Sequence, residues 1–270
     1  MQIFRCSLKI IISILLAAAA LFVGYLSIDS VLTPIQFEET KAEREAKIQE
    51  RLLDLRTAVN EYKIVNGCYT DNLDSLVYFL KNTPKREIYK EGSLSEDQMK
   101  RKLTEDSIAK TLYKARLEVL KKNPELEKVS LDSLYTYVWQ EDIVIKDSLV
   151  GFRRDTLESN MIQTLYGGKY TEKTIDEIKY IPYGKDNAKF AVEVDNEYTT
   201  STIAMPLIQI SAHYNEYLYD LDAQELVNLI DKVEKLNEEK LAKDPFAEPN
   251  FAGTKIGSLY GPNNNAGNWE

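Results

Sequence analysis

The sequence has very few of the residues that build metal centres and covalent active sites. Its 270 residues include one histidine, His213, and two cysteines, Cys6 and Cys68. Structural zinc sites need four His or Cys ligands at fixed spacing, and an activated nucleophile needs a base beside it. The glycine pair before Lys169 lacks the rest of a phosphate-binding loop. The sequence therefore predicts no catalytic residue, no metal site and no cofactor, and we do not expect an enzyme.

The chain is also short of positive charge. It carries 34 basic residues against 43 acidic ones, for a formal net charge of −9. A protein that binds nucleic acid needs a basic face that displaces counterions from phosphates. We therefore expect no nucleic-acid partner.

What the sequence does have is one long apolar run. Residues 10–28 contain no charged side chain, and Arg5 and Lys9 precede them. A helix of nineteen residues is about 28 Å long, close to the thickness of a bilayer core. With the positive charges on its N-terminal side, the run predicts an anchor in the inner membrane that contacts lipid, with residues 1–9 in the cytoplasm and the acidic remainder periplasmic. A cleaved signal peptide, ending near Ala20, is the alternative.

The segment after the run is predicted to be helical. Residues 29–47 form a charged stalk in which both signs alternate. An apolar stripe then begins, with the spacing of a helix that packs one face on a core; its members are Ile48, Leu52, Leu55, Val59 and Tyr62. The stripe covers barely two heptads, which is short for a coiled coil. Asn66-Gly67 predicts the end of the helix, and Asp71 or Asn72 is expected to cap the next one.

The rest of the chain mixes helix and strand signals. Residues 83–123 predict a helical insertion, with Ser95 and Gln98 as a capping box. The predicted strands are Tyr135–Trp139, Ile143–Ile145, Tyr180–Tyr183, Phe190–Val194, Tyr198–Ala204 and Leu207–Ile210. Asp222 is expected to cap a last amphipathic helix. The predicted fold class is α+β: a transmembrane helix that continues into an amphipathic spine packed on an antiparallel sheet, with extra surface helices.

Two residues and the C-terminal tail need an interpretation of their own. Cys68 is expected to be buried beside Tyr69, or else to bridge two copies of the chain. His213 is expected to be a hydrogen-bonded residue at a strand end. The Gly- and Asn-rich tail, 251–270, is either a frayed end or a contact segment in which Trp269 fills a pocket.

The N-terminal third resembles a known family. An apolar helix, a polar stalk, a helix ending in Gly, a tyrosine and a short Leu-Asp-Ser-Leu element follow one another within residues 10–80. The residues that carry the resemblance are Leu52–Ala58, Tyr62, Asn66-Gly67, Tyr69 and Leu73–Leu76. They are similar to the corresponding stretch of the major pseudopilins of type II secretion and of type IV pilins. The resemblance implies that residues 48–250 form a pilin-like domain and that subunits assemble through their N-terminal helices.

The chain departs from that family at two places. Residues 1–28 contain no Glu, so the processing motif of pilins is missing, and Thr70 stands where the family has Pro. The Asn-rich tail offers only neutral oxygens where the family has a calcium loop, so no metal is carried over. The expected function is a single-pass, pseudopilin-like structural or assembly component of a cell-envelope machine, with self-assembly or protein partners. The alternative is a tethered periplasmic binding or adaptor protein that does not polymerise.

Overall fold

The computed structural model describes residues 2–140, 149–200 and 203–270, and it describes their side chains except at 2–14, 18–30, 200 and 203. The chain divides into two compact units. The first comprises Met1–Asn82 and Leu165–Glu270, and the second comprises Thr83–Thr164. The predicted strand Ile143–Ile145 lies outside the described residues.

The first unit is α+β and is built on one long helix, α1, over Gln2–Asn66. Gly67 follows with a φ of +77° and donates its N–H to the carbonyl of Lys63 at 2.8 Å. Only glycine adopts this left-handed conformation without steric cost, which is why the helix ends there, as predicted. The other helices of this unit are α2 (Leu73–Asn82), α7 (Tyr214–Tyr217) and α8 (Ala223–Lys243), with short 3-10 helices at Ile175–Lys179 and Lys185–Asn187.

A three-stranded antiparallel sheet completes the first unit. Its strands are β3 (Ala191–Asp195), β6 (Leu207–His213) and β7 (Gly253–Gly257), in the order β3-β6-β7. Ile210 of the central strand pairs with Val192 on one side and with Ile256 on the other. Ile210 and Ile256 are almost fully buried, so the sheet supplies one wall of the core. Two further short strands, β4 (Thr199–Thr200) and β5 (Ile203–Ala204), pair with each other.

The C-terminal part of α1 supplies the other wall. Four members of the predicted stripe are buried: Ile48, Leu52, Leu55 and Val59. The fifth, Tyr62, is half-buried and meets the ring of Phe79 edge-on at 5.0 Å. Packing starts earlier than the stripe suggested, because Phe37 is also buried. Each fully buried side chain of this size contributes about 1.5–3 kcal/mol, so α1 is the spine of the unit.

Two short helical elements of similar sequence pair beside the spine. Leu73-Asp-Ser-Leu opens α2, and Ile175-Asp-Glu-Ile forms the 3-10 helix. Asn72, one of the two predicted caps, accepts the N–H groups of Asp74 and Ser75. The aspartate at the second position of each element bonds to a lysine of the other: Asp74 to Lys179, and Asp176 to Lys81. The two elements of similar sequence therefore contact each other reciprocally.

The second unit combines helices with a two-stranded sheet. Its elements are β1 (Lys85–Glu91), α3 (Glu96–Lys100), α4 (Glu105–Lys122), a 3-10 helix (Pro124–Lys128), α5 (Leu131–Gln140) and β2 (Arg153–Ser159), and α6 (Met161–Tyr166) follows. The capping box of Ser95 and Gln98 forms at the start of α3 as predicted. The guanidinium of Arg153 lies between the rings of Tyr89 and Tyr135, at 4.8 and 4.7 Å from their centroids.

Two of the predicted strands are wrong. Tyr135–Trp139 lies in α5, because Leu134, Tyr135 and Val138 have helical spacing and are buried together in the core of the second unit. The tyrosines favour a strand by propensity alone, and packing overrides that preference. Of Tyr180–Tyr183, only Tyr180 forms an isolated bridge, to Lys189.

The predicted transmembrane anchor at residues 10–28 is also wrong, and the fold class is corrected to α+β without it. Within the residues that the structure describes, we find no helix with the length and apolar character needed to cross a bilayer. The described side chains of α1 lie mostly beyond residue 30, where charged groups such as Glu38, Lys41 and Glu43 recur in successive turns. A charged side chain costs about 2.5–3.5 kcal/mol at the centre of a membrane. The side chains of 10–14 and 18–28 lie outside the described residues.

Candidate functional site

The first half of α1 exposes large apolar side chains. Leu15 and Leu16 are each 66% exposed, and Val31 is 59% exposed. Leu32 and Ile35 are about half exposed and lie beside Val31 on the helix. We call these five residues the α1 surface. Leu15 and Leu16 lie about four helical turns away from the other three, which form one exposed apolar cluster, and such clusters mark interaction sites.

Polar contacts hold the second half of α1 to its own unit. Arg44 donates to both carboxylate oxygens of Asp220, at 2.5 and 2.9 Å, and to the carbonyl of Tyr217 at 2.6 Å. The hydrogen bond with Asp220 raises the pKa of Arg44, and the same bond lowers the pKa of Asp220. The guanidinium also lies 5.2 Å from the centre of the Tyr183 ring. Because a bidentate pair fixes orientation as well as distance, it holds α1 in a defined orientation against residues 217–220.

A second polar cluster lies ten residues further along the same helix. Asp54 accepts hydrogen bonds from Lys169 at 2.6 Å and from the Tyr170 hydroxyl at 2.7 Å. Tyr166 donates to the backbone carbonyl of Asp54 at 3.1 Å. Burial raises the pKa of both tyrosines, so their hydroxyls stay protonated and act as hydrogen-bond donors. The cluster therefore fastens residues 166–170 to α1.

A cavity of about 360 Å³ opens beside this cluster. Its walls are Lys47, Glu50, Arg51, Lys169, Tyr170, Pro182 and Tyr183. Arg51 lies 5.9 Å from the centre of the Tyr170 ring and donates to the carbonyl of Glu177. Of the three cations, Lys169 pairs with Glu50 and Asp54 and Lys47 pairs with Glu50. Arg51, beside the two aromatic rings, is therefore the cation best placed to bind a small anion or an aromatic acid.

The C-terminal segment is part of the fold. Asn265 is buried and donates from Nδ2 to Asn60 Oδ1 at 2.8 Å and to the Tyr69 hydroxyl at 2.9 Å. The last residue, Glu270, forms an ion pair with Arg56 of α1. The ring of Trp269 packs against Gly267, where a Cβ atom would lie only 2.6 Å from it. Of the two interpretations of the tail, the frayed end is wrong, and Trp269 packs on the chain itself.

The reactive residues singled out in the sequence lie in different places. His213 ends β6 and accepts the N–H of Asn215 through Nδ1, which confirms a hydrogen-bonded residue at a strand end. Cys68 is a free and exposed cysteine, so its predicted burial is wrong. The side chain of Cys6 is outside the described residues. Among the described side chains, no group of three or more His, Cys, Asp or Glu residues could hold a metal ion.

The sequence did not reveal the polar contacts of α1. Asp54 is an acid between the buried leucines Leu52 and Leu55, and this was the available signal that it has a partner. Arg44 and Asp220 are 176 residues apart, and no sequence pattern connects them. Comparison of the chain with protein-family models, with curated proteins and with solved structures finds no match. The geometry of α1 is therefore the basis for a functional proposal.

Proposed function

We propose that this chain is a pilin-like structural or assembly subunit of a cell-envelope machine, and that copies associate through the α1 surface. One observation carries the proposal. On a single helix of 65 residues, one face is buried in the first unit at Phe37 and from Ile48 to Val59, while Leu15, Leu16 and Val31 are exposed. These exposed apolar side chains gain free energy when another surface covers them.

Disulfide cross-linking tests this proposal. In a chain whose two natural cysteines are changed to serine, Leu16→Cys with Ile35→Cys places two thiols on the α1 surface. Staggered copies then cross-link into a ladder on a non-reducing gel, whereas a single cysteine per chain stops at dimers.

The control carries the same number of exposed thiols elsewhere in the first unit. Ile64 and Tyr78 are 74% and 70% exposed, so Ile64→Cys with Tyr78→Cys is matched for accessibility. A ladder from the α1 pair and none from the control supports assembly through α1. Monomers from both, or equal ladders from both, overturn it.

A second candidate function is a binding or adaptor protein that does not polymerise. The cavity beside Tyr170 favours it, because three cations line a small opening in an otherwise acidic chain. An anionic aromatic compound such as benzoate would then raise the melting temperature of the full chain. Arg51→Ala would abolish that increase, and Arg86→Ala, which removes an exposed arginine of the second unit, would leave it unchanged.

A further inference from the structure

A second cavity of the first unit lies at the C-terminal end of α1. It has a volume of about 600 Å³, which is within the range of small-molecule sites. Its walls come from within residues 60–69, from residues 205–207 at the start of β6, and from within residues 258–265. We call it the tail cavity. It shares no residue with the α1 surface or with the cavity beside Tyr170.

Four asparagine side chains line the tail cavity: Asn60, Asn263, Asn264 and Asn265. The buried Asn265 donates from Nδ2 to Asn60 Oδ1 and to the Tyr69 hydroxyl. These bonds fix both amides, and they leave Asn60 Nδ2 as a donor and Asn265 Oδ1 as an acceptor. Asn263 and Asn264 are exposed at the rim. The cavity therefore offers both donors and acceptors to a ligand.

The charge of the tail cavity is unusual for this chain. Among the described side chains that line it, Lys63 is the one charged group, although the chain has 43 acidic residues. The Lys63 ammonium lies 4.9 Å from the centre of the Tyr69 ring, and no carboxylate of the described residues pairs with it. An unpaired cation beside neutral amides favours a ligand with one negative charge.

One wall of the tail cavity is aliphatic. Met205 and Pro206 are half-buried there, and Ile64 and Pro262 are exposed at the opening. The Tyr69 ring is only 5% exposed, so it offers little surface on which an aromatic ligand could stack. Aliphatic C–H groups of a ligand are therefore the better match for this wall.

A saccharide matches these three features. Each hydroxyl group of a sugar ring both donates and accepts hydrogen bonds, as an amide side chain does. The C–H face of the ring is apolar and packs against an aliphatic wall. A uronic acid adds the single carboxylate that an unpaired lysine binds. The carboxyl terminus of a peptide shares this charge, but it has no comparable set of neighbouring hydroxyls.

We propose that the tail cavity binds a saccharide that carries one carboxylate. Lys63 pairs with the carboxylate, while Asn60, Asn263 and Asn265 bond to the ring hydroxyls. This binding function is additional to the assembly of copies through α1 and does not depend on it.

Saturation-transfer NMR on the full chain tests the proposal with three probes. Glucuronate should bind with a Kd of about a millimolar, as expected for a ligand of its size. Glucose retains the hydroxyls but lacks the carboxylate, and it should bind about tenfold more weakly. Acetate has the carboxylate alone and should not bind. A linear uronate tetramer that binds as tightly as glucuronate supports a sugar at the end of a glycan, and one that fails to bind supports the free sugar.

Two variants assign the contacts. Lys63→Gln should weaken glucuronate about tenfold and leave glucose unchanged, because only glucuronate has the charge that Lys63 binds. Asn263→Ala should weaken both sugars about threefold, because it removes a hydrogen bond from each. The unchanged binding of glucose to the Lys63→Gln variant also shows that this variant is folded.

The matched controls remove the same groups elsewhere. Lys114→Gln and Asn228→Ala change exposed residues of α4 and α8, and Arg51→Ala changes the cavity beside Tyr170; all three should leave glucuronate binding unchanged. The proposal is overturned if neither sugar binds, if acetate binds as tightly as glucuronate, or if Lys63→Gln weakens both sugars equally. It is also overturned if Arg51→Ala abolishes binding, or if a tripeptide with a free carboxyl terminus binds more tightly than glucuronate.

Discussion

Asp74 and Lys179 lie 2.8 Å apart across the two short helical elements that flank α1. Lys189 reaches the other carboxylate oxygen of Asp74 at 2.7 Å. These hydrogen bonds, that from Lys179 foremost, lower the pKa of Asp74 from 3.8 to about 2. Because Asp74 is at the surface, solvent and salt screen its effect on stability. The sign of that effect still follows from the lowered pKa.

The stability contributed by Asp74 should depend on pH. A carboxylate with a lowered pKa in the folded state contributes stability above its unfolded pKa, and loses it as the pH falls from about 4 towards 2. Asp74→Asn should therefore unfold at a lower temperature at pH 7, and the difference from the parent should shrink below pH 4. Melting curves across this range measure the effect. Asp71→Asn, which removes an exposed carboxylate three residues away, is the control, and an identical pH profile for both variants would contradict the assignment.

The buried stripe of α1 should dominate the stability of the first unit. Leu55 is fully buried, and Leu55→Ala should lower the free energy of unfolding by about 2–5 kcal/mol. Ile64, on the same helix, is 74% exposed, and Ile64→Ala should change it by less than about 0.5 kcal/mol. Urea unfolding can be followed in the first unit alone, because Trp139→Phe leaves Trp269 as the only tryptophan. Similar losses for the two variants would contradict the spine described for α1.

Two glycines with the same backbone conformation should respond differently to substitution. Gly67 and Gly257 have φ angles of +77° and +74°, but a Cβ atom on Gly257 would lie 2.0 Å from the carbonyl oxygen of Ile208, whereas one on Gly67 meets nothing within 4 Å. Gly67→Ala should cost about 1–2 kcal/mol, from the left-handed conformation alone. Gly257→Ala should cost about 1–3 kcal/mol more, because the strands β6 and β7 must move apart. Equal urea midpoints for the two variants would contradict the close approach of Gly257 to the carbonyl oxygen of Ile208.

The contribution of the Asn265 hydrogen bonds to stability should be measurable by comparison with Asn264. Asn264 and Asn265 both have a positive φ, at 57° and 55°, but only Asn265 is buried and bonded to Asn60 and Tyr69. Asn265→Ala should lower the free energy of unfolding by about 1–3 kcal/mol more than Asn264→Ala, because the Tyr69 hydroxyl is left without this partner. The comparison cancels the backbone contribution, and a difference near zero would contradict the proposed link between the tail and α1.

The local parts of this fold could be predicted from the sequence. The stripe from Ile48 to Val59, the stop at Gly67 and the caps at Ser95 and Asp222 depend on side chains within four residues of one another. Short-range geometry determines such features. The strands Ala191–Asp195 and Leu207–His213 were also predicted, within a few residues, because the first alternates apolar with polar residues and both contain Val or Ile, which favour strands.

The features that were wrongly predicted or missed depend on contacts between residues far apart in the sequence. Tyrosine has a high strand propensity, yet Tyr135 lies in a helix because it packs with Leu134 and Val138 in the hydrophobic core of the second unit. Arg44 bonds to Asp220, and Asp54 bonds to Tyr170, although more than a hundred residues of sequence separate the members of each pair. The apolar run at 10–28 satisfied a rule based on length and charge alone, and that rule takes no account of the remainder of α1. Composition alone does not determine which residues meet.

The last strand of the sheet has a consequence for synthesis of the chain. β7 pairs with β6 only after residue 257 has been made, and Glu270, which bonds to Arg56, is made thirteen residues later. Until then the nascent chain displays an unpaired edge of β6, with Ile208 and Ile210 beside it, and an uncovered face of α1. Contacts over some two hundred residues also form slowly. The sheet of this unit is therefore incomplete until residues 253–257 have been made, and the interval before β7 docks is when the chain is most prone to aggregate or to need a chaperone.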